Sequence, residues 1–145
     1  MTTNAIATAE MLGGTAVLGK EIKSDRDLEK VVLQGLPPDA VAEVVQRIYP
    51  GQADKQYQLV PRTTLVRRQK EGSLLNLEES QRAERIARVF SFAVEVWGDE
   101  AKARDFMTKP HPMLEDRTPM TASLNELGAR AVEQILGRLM FGISA

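Results

Sequence analysis

The sequence predicts an all-α protein, and three observations predict it. Apolar residues recur at helical spacing almost everywhere after residue 24. No segment alternates with the period of two that a half-buried strand requires. Prolines and glycines at Gly35, Pro37, Pro38, Pro50, Gly51, Pro61, Gly72 and Gly98 punctuate the periodic runs. About seven helices without an internal repeat account for the pattern.

The opening MTTNAIATAEMLGGTAVLG is mildly apolar and low in complexity, and residues 1–23 read as a flexible N-terminal arm. It lacks a basic start, and Glu10 interrupts the apolar run, so a signal peptide is not expected. Ser24 caps a first helix through about Leu33, with Asp25 and Asp27 favourably placed in its first turn, and Gly35 stops it. Pro37 or Pro38 starts the next helix, which buries Val41, Val44, Val45 and Ile48. Pro50 and Gly51 break it, and QADKQYQL is open between a short helix and a loop.

A further helix starts at Pro61 and stops at Gly72. Asn76 and Glu79 are spaced for a reciprocal cap that opens a long helix over about residues 77–97. Ile86, Val89, Phe90, Ala93, Val96 and Trp97 form its apolar stripe, which assigns Trp97 to the core. Asp99 caps a short helix through Met107. PHPMLEDRTP cannot be regular helix with three prolines, and the last helix opens at Asn125 and runs to about Met140.

At 145 residues the chain is one domain, or two small ones sharing a core. It contains no cysteine, which excludes disulfides, thiolate nucleophiles and Cys-based metal sites, and fits a reducing cytoplasm. No run approaches the ~20 apolar residues that span a bilayer, so a soluble cytoplasmic protein without membrane contact is expected. His111 stands alone, without the partners of a metal site or a catalytic triad. Glu78–Glu79 and Asp99–Glu100 sit at helix starts, where they complement the macrodipole. No catalytic residue, cofactor or metal is expected, and nothing argues for an enzyme.

Charge carries the first functional signal. With 19 Lys plus Arg against 20 Asp plus Glu the overall field is weak, yet VPRTTLVRRQKEG concentrates cations in one short helix. On a helical wheel Leu65 and Val66 take one side, while Thr63, Thr64, Arg67, Arg68 and Lys70 occupy the other. Arg and Lys neutralise phosphates, Thr bonds phosphate or base edges, and Arg pairs with guanine. Two helices and a short segment precede this helix, the layout of a helix-turn-helix. Arg62, Thr63, Thr64, Arg67, Arg68 and Lys70 are therefore the candidate DNA-binding residues; the competing reading is a solvated charged face.

From Gly72 onward the chain shows EESQR, RIARV and WGDEAKA, then Pro110, Leu114, Arg117–Thr118–Pro119, and finally GARAVEQILGRLMFGISA. In that order, with TLVRR upstream and GLP at Gly35–Pro37, the sequence resembles the Xre/MbcA/ParS antitoxins of RES–Xre toxin–antitoxin pairs. The resemblance implies an Xre/Cro-like helix-turn-helix over 24–72 that binds the operator of its own operon. It implies a helical toxin-binding domain over 73–145 that silences a RES-type toxin, an ADP-ribosyltransferase-like consumer of NAD, by plugging its active site.

The toxin-binding residues it implies are the tail, Leu139, Met140, Phe141, Gly142, Ile143, Ser144 and Ala145. An apolar chain end must dock on its own domain or on something else, and both options stand at this point. A two-fold homodimer is expected from palindromic operators.

Five positions depart from the family pattern: Leu59 for a small residue, Pro61 for a capping serine, Glu115 and Asp116 for a glycine pair, and Met140 for an acid. They leave the recognition-helix start and the loop shape open. Two alternatives follow from the same residues: a free-standing regulator whose C-terminal half only dimerises, and a toxin-binding module whose basic helix no longer reads DNA.

Overall fold

Nine α-helices and two short 3-10 turns make up the regular structure of residues 4–142, the part that the computed structural model describes. The helices are α1 (Ala5–Met11), α2 (Gly14–Leu18), α3 (Asp25–Gln34), α4 (Asp39–Ile48), α5 (Arg62–Glu71), α6 (Leu77–Trp97), α7 (Glu100–Thr108), α8 (Pro119–Ala122) and α9 (Glu126–Met140). Ala53–Gln58 and Pro112–Leu114 are the 3-10 turns, so QADKQYQL resolves to the tighter helix rather than a loop.

Local chemistry sets the helix starts. Ser24 accepts from the Asp27 N–H, and Asn125 from the Gly128 N–H at 2.8 Å. Asn76 and Glu79 form the reciprocal cap, at 2.8 Å and 2.9 Å. Asp99 caps α7.

The 21-residue α6, about 30 Å long, organises the packing. α1, α3, α4, α7 and α9 all lie against it, and Ala83, Ile86, Ala87, Val89, Phe90 and Ala93 are fully buried. One continuous apolar core joins both halves of the chain, from Leu12 and Val44 to Met107 and Leu136.

Polar stitches from α6 fix its neighbours. Ser80 Oγ accepts from the Leu36 N–H at 2.9 Å, and the Leu75 N–H donates to the Leu36 carbonyl at 2.8 Å. Arg82 donates to the Leu59 carbonyl at 2.7 Å and Arg85 to the Leu124 carbonyl at 2.8 Å. The residues of EESQR and RIARV thus satisfy turn groups that burial would otherwise orphan.

Gly35 is required where this stitching is tightest. Its φ is 110°, and an added Cβ would stand 2.6 Å from the Leu75 carbonyl oxygen. Gly128 is required by approach alone, since a Cβ there would lie 1.8 Å from the Ala122 carbonyl oxygen.

Three expectations are corrected. The N-terminal segment is not an arm over its described part. Asn4 caps α1, and Ala5, Thr8, Ala9, Met11, Leu12, Leu18 and Ile22 are buried in the common core. Small side chains let α1 approach α6 closely, which compensates for its modest apolar area.

Trp97 is 38% exposed rather than interior: it lies at the edge of the core against Phe106 of α7, their ring centroids 6.3 Å apart. Val66 is 42% exposed, so Leu65 alone anchors α5 by a buried apolar side chain. In the proline-rich loop, Glu115 and Asp116 both adopt left-handed conformations, φ 57° and 62°. The acidic pair keeps a backbone that glycines adopt without strain.

Candidate functional site

Two surfaces carry the sequence-predicted residues. The first is α5. It follows the 3-10 turn at Ala53–Gln58 and the buried Leu59 and Val60. The Arg82 guanidinium holds the Leu59 carbonyl, fixing the turn that leads into the helix, so Leu59 is accommodated as a core residue.

Pro61 stands at the N-cap, one position before the first helical residue, and supplies no side-chain cap. The first N–H groups of α5 are therefore left to an external acceptor, the arrangement that favours an anion.

Arg62, Thr63, Arg67 and Lys70 are exposed, and Thr64 is half-buried. Among the described residues no carboxylate pairs with Arg62, Arg67 or Lys70. Arg62 stacks over the Tyr57 ring, 5.7 Å from its centroid.

Arg68 does not share their position. Its Nε lies 2.8 Å from Glu79 Oε1 and its Nη2 donates to Oε2 at 3.3 Å, with the two side chains only 17% and 10% exposed. The expectation that Arg68 faces outward is corrected: it ties α5 to the first turn of α6. Glu79 therefore serves two contacts, capping α6 and holding the basic helix.

The second surface is the end of α9. Leu139 and Met140 are half-buried and pack on the core, whereas Phe141 is 72% exposed. Gly142 follows in a left-handed conformation. Ile143, Ser144 and Ala145, the rest of the tail singled out from sequence, lie outside the described residues.

An ionic cluster that sequence reasoning missed lies between α6 and α9, its contacts ion pairs without hydrogen-bond geometry. Arg88 lies 3.4 Å from Glu133 and 3.8 Å from both Glu84 and Glu126. Burial pushes the Glu84 carboxyl above the ordinary range, against the opposing pull of Arg88, with Glu133 and Glu126 adding to the rise. Burial raises Glu133 as well. Burial also lowers Arg85, whose guanidinium donates to the Leu124 carbonyl. The i, i+3 spacing of Arg82, Arg85 and Arg88 was the available signal.

His111 is structural: its Nδ1 accepts from the Met113 N–H at 3.1 Å. No group of three or more His, Asp or Glu among the described residues is arranged to hold a metal ion. No described helix is long and apolar enough to cross a membrane.

Comparison with known proteins places both surfaces within known domains. Residues 27–88 match the antitoxin Xre-like helix-turn-helix domain, and residues 92–142 match the antitoxin Xre/MbcA/ParS C-terminal toxin-binding domain. Together the matches span more than three quarters of the chain, and their seam falls inside α6.

A Pseudomonas putida protein described as Antitoxin Xre is 27% identical over 124 residues, covering 84% of this chain and 76% of that protein. A Yersinia enterocolitica protein of the same description is 35% identical over 85 residues, covering 58% of this chain and 57% of the relative.

Proposed function

Because the chain belongs to the Xre-type antitoxins, we propose that it silences a cognate RES-type toxin with the end of α9 and represses its own operon through α5. The observation that carries this reading is the exposed Phe141, at the end of a helix inside the toxin-binding match. A large aromatic that is 72% exposed gains by entering another protein's cleft.

Leu139 and Met140 brace that helix from below, so the tail enters from a fixed base. Steric occlusion is the mechanism: the apolar plug fills the toxin's substrate entrance, and the chain itself performs no chemistry. Ile143, Ser144 and Ala145 would continue the plug.

On the other face, Arg62, Arg67 and Lys70 contact phosphates or guanine edges, with Thr63 and Thr64 beside them at the open helix start. Arg68 orients the helix and does not read DNA. A homodimer in the cytoplasm places two α5 helices on a palindromic operator, in successive major grooves.

Co-expression tests the reading. A neighbouring gene product that arrests growth alone and is harmless with this chain supports it. Growth arrest unrelieved by this chain contradicts it, and leaves a free-standing regulator.

A further inference from the structure

The toxin-binding match contains a second exposed apolar feature, remote in sequence from the tail. Trp97 at the end of α6, Phe106 on α7 and His111 in the following loop line an open groove of about 310 Å³. The Trp97 and Phe106 ring centroids are 6.3 Å apart, and Phe106 meets His111 edge-on at 6.1 Å. Trp97 is the only tryptophan of the chain.

Backbone hydrogen bonds fix the loop that carries His111. The His111 N–H donates to the Arg117 carbonyl and the Asp116 N–H to the His111 carbonyl, both at 3.1 Å.

Its rim carries two lysines, Lys102 and Lys109, against one carboxylate, Asp105. Lys102 has no carboxylate partner among the described residues. Lys109 meets only Asp105 at 3.6 Å, and both of those side chains are more than two-thirds exposed, so the pair is weak. His111 Nδ1 is occupied as an acceptor, which puts the ring proton on Nε2 as a donor.

An apolar floor under an imidazole donor and a net positive rim, two ammonium groups against the Asp105 carboxylate, matches an apolar side chain flanked by a carboxylate that Lys102 can pair with. We propose that the Trp97–Phe106–His111 groove is a second contact surface for the toxin, receiving an acidic, apolar segment of that protein. This rests on the antitoxin reading and extends it: the tail stoppers the active site while the groove grips the toxin elsewhere. Two separate contacts on one rigid body raise avidity beyond that of either alone.

The test labels Trp97 with 5-fluorotryptophan and follows its ¹⁹F resonance as purified, unlabelled toxin is added to the full chain. The expected result is a saturable shift, with Lys102→Glu weakening toxin binding about tenfold and Lys109→Glu adding to the loss. Lys102 and Lys109 are exposed, so thermal unfolding of these variants should match the wild type.

Toxin binding with an unmoved resonance and unaffected lysine variants overturns the groove and leaves the antitoxin function intact. A resonance that moves with protein concentration alone overturns it too, in favour of a second copy of the chain. Failure of the wild-type chain to bind the toxin removes both.

Discussion

Arg68 separates the cations proposed to contact DNA from one that holds their helix in place. Exposed ion pairs contribute about 0–1 kcal/mol, and breaking a fully buried pair costs about 3–5 kcal/mol. The Arg68–Glu79 pair lies between these limits, with 17% and 10% of the two side chains exposed and two close contacts at 2.8 Å and 3.3 Å. Only the Nη2 contact has hydrogen-bond geometry, the Nε contact being ionic alone, so a coupling of about 1–2 kcal/mol follows, the low end of the range for hydrogen bonds to charged groups.

The suitable variants are Arg68→Met, which keeps the packed stem, and Glu79→Gln, which keeps the reciprocal cap on Asn76. Urea unfolding of both single variants and the double variant, followed by circular dichroism, yields the coupling directly. The same proteins are titrated with operator DNA across a salt series. Arg67→Ala should flatten the slope of log K against log salt by about 0.9, and folded Arg68→Met should leave it unchanged. A coupling below about 0.5 kcal/mol, the bottom of the ordinary hydrogen-bond range, or a slope reduced as much as by Arg67→Ala, would refute the assignment.

Gly128→Ala should cost about 3 kcal/mol or more, since its Cβ would meet the Ala122 carbonyl oxygen at 1.8 Å and the backbone must move; an unchanged urea midpoint would show that the α8–α9 junction is slack. Replacing Glu115 by Gly should stabilise by about 0.5–1 kcal/mol, as relief of left-handed strain exceeds the added chain entropy. Thermal unfolding reads this, and a lower midpoint would count against it.

Glu84 provides the pH test. Its folded pKa is raised by burial, so the native state binds that proton more tightly than the unfolded chain does. The Glu84 contribution to stability should therefore fall as pH rises from about 4.3, the unperturbed value, through the raised folded value. Glu84→Gln cannot titrate, so its stability relative to wild type should increase with pH over that window. A difference that stays constant in urea unfolding across the window would mean that burial imposes no penalty on the charge.

Helix starts could be read from sequence because their bonds close within a few residues, as at Ser24, Asn76, Asp99 and Asn125. Pairings across the fold could not. α1 buries Ala5, Thr8 and Ala9, side chains too small to stand out in an apolar pattern, and its partner α6 is distant in sequence. A helical wheel places Arg68 with Arg67, because only the fold brings Glu79 to it. Trp97 fits the apolar stripe of α6, but a wheel does not show that its ring ends at the rim of the core, against Phe106. The cationic face of α5 needed no tertiary knowledge, and Arg62, Arg67 and Lys70 stand exposed as the pattern implied.

The central claim is that one rigid helical body engages two partners through two separate surfaces. Hydrogen exchange of the full chain, alone and then with operator DNA or with the toxin, tests it most directly. Operator DNA should slow exchange in residues 61–72 and leave the end of α9 unchanged. The toxin should slow exchange from Leu139 onward. Protection absent from either segment when its own partner is bound, or both segments protected by one partner alone, would contradict the account.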